Sequence, residues 1–110
     1  MSEQFLATVE RGRIGPIIVL HGIVNRAAKE AIEAAYQEAE TIDGEVRLDF
    51  GDVEYINSTG IAIIVGLLAR ARQTQRAVGA SGLTDHYREV FEITRLSDFM
   101  TIYDDQPTIT

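Results

Sequence analysis

A chain of 110 residues, 45 % of them hydrophobic, is long enough for one compact domain with its own core, so a single domain over residues 1–110 is expected. Ten basic residues against seventeen acidic ones give a net charge of −7, which disfavours non-specific attraction to nucleic acid or to anionic lipid. The absence of cysteine excludes a disulfide framework, a thiolate zinc site and a Cys nucleophile, and the opening Met-Ser-Glu-Gln-Phe lacks the basic start and apolar run of a signal peptide, so a cytoplasmic protein is expected.

From Gln4 to Glu10, Phe5, Ala7 and Val9 fall on one face of an extended segment. The β-branched run Ile17-Ile18-Val19-Leu20-His21 follows beyond a glycine-containing turn, and the two segments predict a hairpin. Between Arg26 and Glu40 the apolar residues Ala28, Ala31, Ile32, Ala35, Tyr36 and Ala39 recur at helical spacing, with Asn25 placed to cap the start and Gly44 beyond the end. Glu45 to Phe50 reads as a buried strand, Gly51-Asp52 as a turn, and about Ser58 to Arg76 as a second helix. Ala77 to Ser81 gives a further strand, and Thr84 to Thr94 a helix with Tyr87, Val90 and Phe91 on one side. Met100 to Tyr103 gives a last strand, and the tail 104–110, which holds Pro107, is expected to be flexible. Strands alternating with helices predict an α/β fold with a largely parallel sheet.

The most informative stretch runs from Tyr55 to Ala69. No acidic residue occurs between Tyr55 and Thr84; Asn57, Ser58 and Thr59 are all competent N-caps, and Arg70, Arg72 and Arg76 suit the negative end of the helix dipole. From Ile61 to Ala69 the helix is apolar all round, whereas a helix lying on a sheet buries one face. Nine residues are too few to cross a bilayer, so the remaining surface is either covered by another element or left as a docking patch. As an N-cap, Ser58 would satisfy an orphan backbone N–H worth ~1 kcal/mol. A phosphate there would add a charge of about −1.5 to −2 at a helix end that tolerates anions.

Leu20-His21-Gly22, then Tyr55-Ile56-Asn57-Ser58-Thr59-Gly60-Ile61, then Tyr87-Arg88-Glu89-Val90-Phe91-Glu92-Ile93-Thr94-Arg95-Leu96 together resemble the STAS-domain anti-sigma-factor antagonists of bacteria. The resemblance implies a STAS-like mixed β-sheet with an N-terminal hairpin and helices packed on the sheet. It places the family's phosphorylated serine at Ser58 and the partner surface at Asn25, Asn57, Ser58, Thr59, Gly60, Ile63 and Leu67. It also implies a mechanism: the unphosphorylated form binds an anti-sigma factor that is a serine kinase of the histidine-kinase-like ATPase fold, phosphorylation breaks the complex, and a phosphatase restores it. ATP then belongs to the partner, and the chain itself takes no cofactor. Two positions depart from the family, which usually carries Asp where this chain has Asn57 and Asn25. Asparagine keeps the size and capping ability of aspartate but not its charge. The same fold also serves as an unphosphorylated interaction module, either an accessory subunit of a transporter or a signalling scaffold.

Catalytic readings fare worse. A phosphate-accepting Asp49 would need an acidic pair after the first strand and a late lysine, and Lys29 is the one lysine, so Asp49 and Asp52 read as strand-end and turn residues. Ser58 with His21 or His86 would make a hydrolase, but Asn57-Ser58-Thr59-Gly60 is not the Gly-x-Ser-x-Gly elbow. His21, His86 and Asp85 lack ligand spacing for a metal. Asn57-Ser58-Thr59 fits the glycosylation sequon, which has no bearing on a protein that is not exported. No enzymatic activity and no metal are expected.

Overall fold

The computed structural model describes residues 5–104, so the expected flexible tail lies, from residue 105 onward, outside the described residues. The hairpin forms as its alternation predicts. β1 (Leu6–Arg11) and β2 (Pro16–Val24) run antiparallel, with Leu6 opposite His21 and Arg11 opposite Pro16. Asn25 caps the next element through its side-chain oxygen, which accepts the amide of Ala27 at 3.0 Å. One 3-10 turn, Arg26–Ala28, leads into α1 (Lys29–Ala39), which buries Ile32, Ala35, Tyr36 and Ala39 at the predicted spacing.

β3 (Val46–Ile56), α2 (Ser58–Gln73), β4 (Val78–Ser81), α3 (Asp85–Ile93) and the two-residue β5 (Thr101–Ile102) complete the order. The five strands lie in the sheet in sequence order, and every pair after the hairpin is parallel. Each parallel connection passes through a helix, and right-handed crossovers between successive neighbours put all the helices on one face. Alternation along the strands agrees: Ile18, Leu20, Val46, Leu48, Phe50, Val78 and Ala80 join the helical residues in one core, where the rings of Phe50 and Phe91 meet edge to face at 5.7 Å. On the opposite face the Arg47 guanidinium stacks on Tyr103, 3.6 Å from the ring centroid, and the Tyr103 hydroxyl donates to Glu45 at 3.0 Å.

Two expectations require correction. Gly51-Asp52 does not reverse the chain, because β3 continues through it to Ile56. The Asp49 carboxylate accepts the Gly51 amide at 2.9 Å, which is turn chemistry, but here it shapes a bulge. β3 carries one more residue than β2 between Asp49 and Asp52, and again between Val53 and Tyr55, while its pairing with β2 persists to Val24. The second correction is that α2 stops at Gln73 and not at Arg76. Gln75 has a left-handed φ of 56°, which ends the helix. Arg76 then serves the other helix: its guanidinium donates to the carbonyls of Gly44 at 2.6 Å and of Glu40 at 3.3 Å, and to that of Ile42. It thereby satisfies the orphan carbonyls at the C-terminal end of α1. Among the described residues no helix is long and apolar enough to cross a membrane, and no cluster of His, Asp and Glu could hold a metal ion.

Candidate functional site

The loop between β3 and α2 is fixed from below at three points. The Asn57 amide donates to the Val24 carbonyl at 3.2 Å, joining the ends of β2 and β3. The Ile56 amide donates to the Tyr87 hydroxyl of α3 at 2.9 Å. Gly60 lies directly on the end of β2: a Cβ there would fall 2.1 Å from the Val24 carbonyl oxygen, so only glycine lets the first turn of α2 sit so low.

Asn57 takes the capping role. Its backbone is extended, with φ −92° and ψ −178°, and its side-chain oxygen accepts the Gly60 amide at 2.8 Å. Ser58 is therefore the first residue of the helix and not its cap. Its hydroxyl, like that of Thr59, stands exposed.

α2 has a buried stripe of Gly60, Ile63, Ile64, Leu67, Leu68 and Ala71, which repeats at helical spacing. Ile63 and Leu67 are 8 % and 5 % exposed, so these two expected contact residues are core side chains. Gly60 is buried as well, and its role is to seat the helix. The outward face carries Ala62, Val65, Gly66 and Ala69, with Val65 46 % exposed. The all-round apolar run thus splits between a face that the sheet and α1 cover and a face of small side chains that stays open. Asn25, half-buried, sits one residue beyond Val24, beside the same loop.

Between α1 and α2 runs a groove of about 480 Å³ whose rim includes Arg26, Lys29 and Thr59 and whose floor includes Ala62, Gly66 and Leu67. A Cβ on Gly66 would meet nothing within 4 Å. A glycine inside a helix costs about 1 kcal/mol relative to alanine, and here no packing contact among the described residues requires it. At the far end Arg70 clamps the two helices by donating to both oxygens of Glu40, at 2.9 and 2.5 Å, and this hydrogen bonding raises the guanidinium pKa above its usual value. Tyr36 lies beneath, its ring 5.6 Å from the Arg70 guanidinium. Burial foremost, then the Glu40 charge, pushes the pKa of its hydroxyl up, against the opposing pull of Arg76 and Arg70.

No hydrolytic constellation assembles among the described residues. His21 pairs with Asp52 at 3.1 Å, and His86 packs its ring against Tyr87 at 4.9 Å. Asp49 is occupied with the bulge. The sequence reading missed the Arg26–Lys29 rim and Gly66. Their spacings of three and four residues are visible in the sequence, but that α1 and α2 lie side by side is not.

The fold and the site define a small mixed-sheet α/β domain that presents an unencumbered hydroxyl at a rigidly seated helix start. The chain belongs to the STAS domain family, whose profile, described as Mlab, STAS domain, matches residues 7–102. It is 42 % identical over 74 residues to the anti-sigma-B factor antagonist of Listeria monocytogenes serovar 1/2a, a match covering 67 % of this chain and 62 % of that relative's length. It is 38 % identical over 89 residues to a Bordetella bronchiseptica protein that bears the name putative anti-sigma factor antagonist BtrV, covering 79 % of this chain and 73 % of the relative. The fold is similar to that of SpoIIAA, an anti-sigma factor antagonist and Bacillus cell fate determinant. Its unphosphorylated form superposes with a TM-score of 0.69 at 18 % identity over 94 % of this chain and 90 % of that one. Its phosphorylated form gives 0.67 at 19 % identity, over 90 % and 92 %.

Proposed function

We propose that this chain is a cytoplasmic anti-sigma-factor antagonist that acts by binding and not by catalysis, with Ser58 as its switch. The unphosphorylated chain captures an anti-sigma factor through Asn25, Asn57, Ser58 and Thr59 and the open face of α2 at Ala62 and Val65. That partner is a serine kinase of the histidine-kinase-like ATPase fold, which phosphorylates Ser58 and is released; a phosphatase resets the cycle. The observation that carries the proposal is the division of labour at the loop. Asn57 caps the helix, so the exposed Ser58 hydroxyl has no structural duty and is open to modification. A dianion at a helix N-terminus is tolerated by the fold, so its cost falls on the complex. The names borne by the Listeria and Bordetella relatives support the antagonist role.

The neutral Asn25 and Asn57 favour a second reading, a fixed STAS interaction module that binds constitutively as a transporter accessory subunit or a scaffold. The two separate when each histidine-kinase-like serine kinase of the source organism is purified and incubated with the chain and Mg-ATP. Phosphoserine is then mapped by mass spectrometry, and binding is measured by calorimetry. Phosphate at Ser58, with Ser58→Ala binding like wild type and Ser58→Asp at least about tenfold weaker, a loss of ~1.4 kcal/mol, is expected. No phosphoserine with any kinase, together with equal affinity of Ser58→Asp, would sink the switch.

A further inference from the structure

We infer that the groove between α1 and α2 is a receptor for an acidic segment of the partner protein, one that inserts an apolar side chain between its carboxylates; this rests on the antagonist reading. The chain as a whole is strongly acidic, at −7. Yet Arg26 and Lys29 stand exposed on the groove rim with no ion pair to any described residue, and Glu33 is the one acidic side chain of the lining. The flanking Asn25 and Asn57 are neutral at positions where the family resemblance implies aspartate, and no acidic residue occurs from Tyr55 to Thr84. The result is a local positive field on a negative protein, which steers and orients an acidic ligand while the rest of the surface repels it.

The floor supplies the second half of the recognition. Ala62 and Gly66 hold it at backbone level, and the glycine is not needed for any contact among the described residues, since its Cβ would meet none of them within 4 Å. A side chain of the ligand can enter there and touch the edge of Leu67 while its carboxylates meet Arg26 and Lys29. Thr59 lines the same groove, so the receptor is continuous with the loop that carries Ser58.

The test uses a defined probe and no partner protein. The 15N-labelled chain is titrated in an NMR spectrometer with an acetylated, amidated peptide of glutamates flanking two leucines, and with counterparts in which glutamine or lysine replaces glutamate. The glutamate peptide should give saturable shifts of the Thr59, Ala62 and Gly66 amides, at least about tenfold weaker with glutamine and none with lysine, and high salt should abolish them. Arg26→Gln with Lys29→Gln should lose the binding through charge, and Gly66→Met should lose it through shape, while Arg88→Gln on α3 should keep it. Equal response to the glutamate and lysine peptides, shifts that survive both groove variants, or no saturable shift would overturn the inference. A negative result here beside phosphorylated Ser58 removes the acidic-segment receptor alone. Peptide binding without any kinase complex removes the antagonist reading and leaves the groove as an acidic-segment receptor.

Discussion

Replacing Asn57 and Ser58 separately by alanine distinguishes the residue that holds α2 from the residue proposed to switch it. The Asn57 oxygen accepts the Gly60 amide at 2.8 Å, and Gly60 is buried against β2. Asn57→Ala removes an N-cap, at a typical loss of ~1 kcal/mol, and leaves an amide with poor access to water, which moves the expected loss to about 1–2 kcal/mol. For a domain of this size each kcal/mol lowers Tm by about 4 °C, so a drop of roughly 4–8 °C is expected. Ser58→Ala removes an exposed hydroxyl at the first helical position and substitutes a better helix former, so the change should stay within about 0.5 kcal/mol. Asn57→Asp should be close to neutral, because aspartate caps as well and its charge suits that end of the helix. Scanning calorimetry together with urea unfolding, checked for an unchanged m-value, measures all three. If Ser58→Ala is destabilised as much as Asn57→Ala, Ser58 has a structural duty and the division of labour at the loop is wrong.

Gly60→Ala should lose at least about 1–3 kcal/mol, because its Cβ meets the Val24 carbonyl, a backbone atom that cannot swing aside; urea unfolding at wild-type stability would refute the close seating of α2. Leu67→Glu should lose more than about 4 kcal/mol or fail to fold, since it buries a charge, whereas Val65→Glu should stay within about 0.5 kcal/mol; similar losses by circular dichroism would overturn the assignment of the two faces. Tyr36 keeps its proton in the folded state to a higher pH than in the unfolded chain, so its contribution is present below about pH 10 and is lost as pH rises through the folded value. Its buried hydroxyl has no hydrogen-bond partner among the described residues, so Tyr36→Phe should be near neutral or stabilising at neutral pH. The variant should also lose less stability than wild type as pH rises above about 10; the same pH dependence of urea unfolding for the two proteins would contradict this.

Local periodicity was enough for the hairpin, for α1 and for the start of α2, because each has one clear apolar stripe or alternation. It failed at Gly51-Asp52, where the turn chemistry is real but the continued pairing of β3 with His21 to Val24 overrides it. It is silent on α2, where an apolar run on all sides carries no signal of which face points inward, so the contact roles that the resemblance implies for Ile63 and Leu67 fall on core side chains while Val65 lies outside. Asn57 and Asn25 are legible as caps because capping chemistry is local, whereas the same chemistry offers Ser58 as a cap and the structure gives that role to Asn57. The groove was not legible, because its two walls belong to helices separated by the whole of β3.

The arrangement around Ser58 also bears on where the work of a phosphoryl switch would be done. The three fixings of the loop run through the Asn57 amide, the Ile56 amide and the Cα of Gly60, and none uses the side chain of Ser58 or Thr59. A phosphate on Ser58 would therefore leave the seat of α2 in place, and the helix dipole would favour it by about 0.3–1 kcal/mol. Release must come from the complex. A hundredfold loss of affinity needs ~2.7 kcal/mol, whereas two like charges about 4 Å apart at an effective dielectric of about 20 repel by ~4 kcal/mol. One carboxylate of a docked partner near Ser58 is enough to supply this. A partner whose acidic segment lies in the adjoining groove brings such carboxylates with it, so the same negative charge that draws the partner in would make it sensitive to the phosphate.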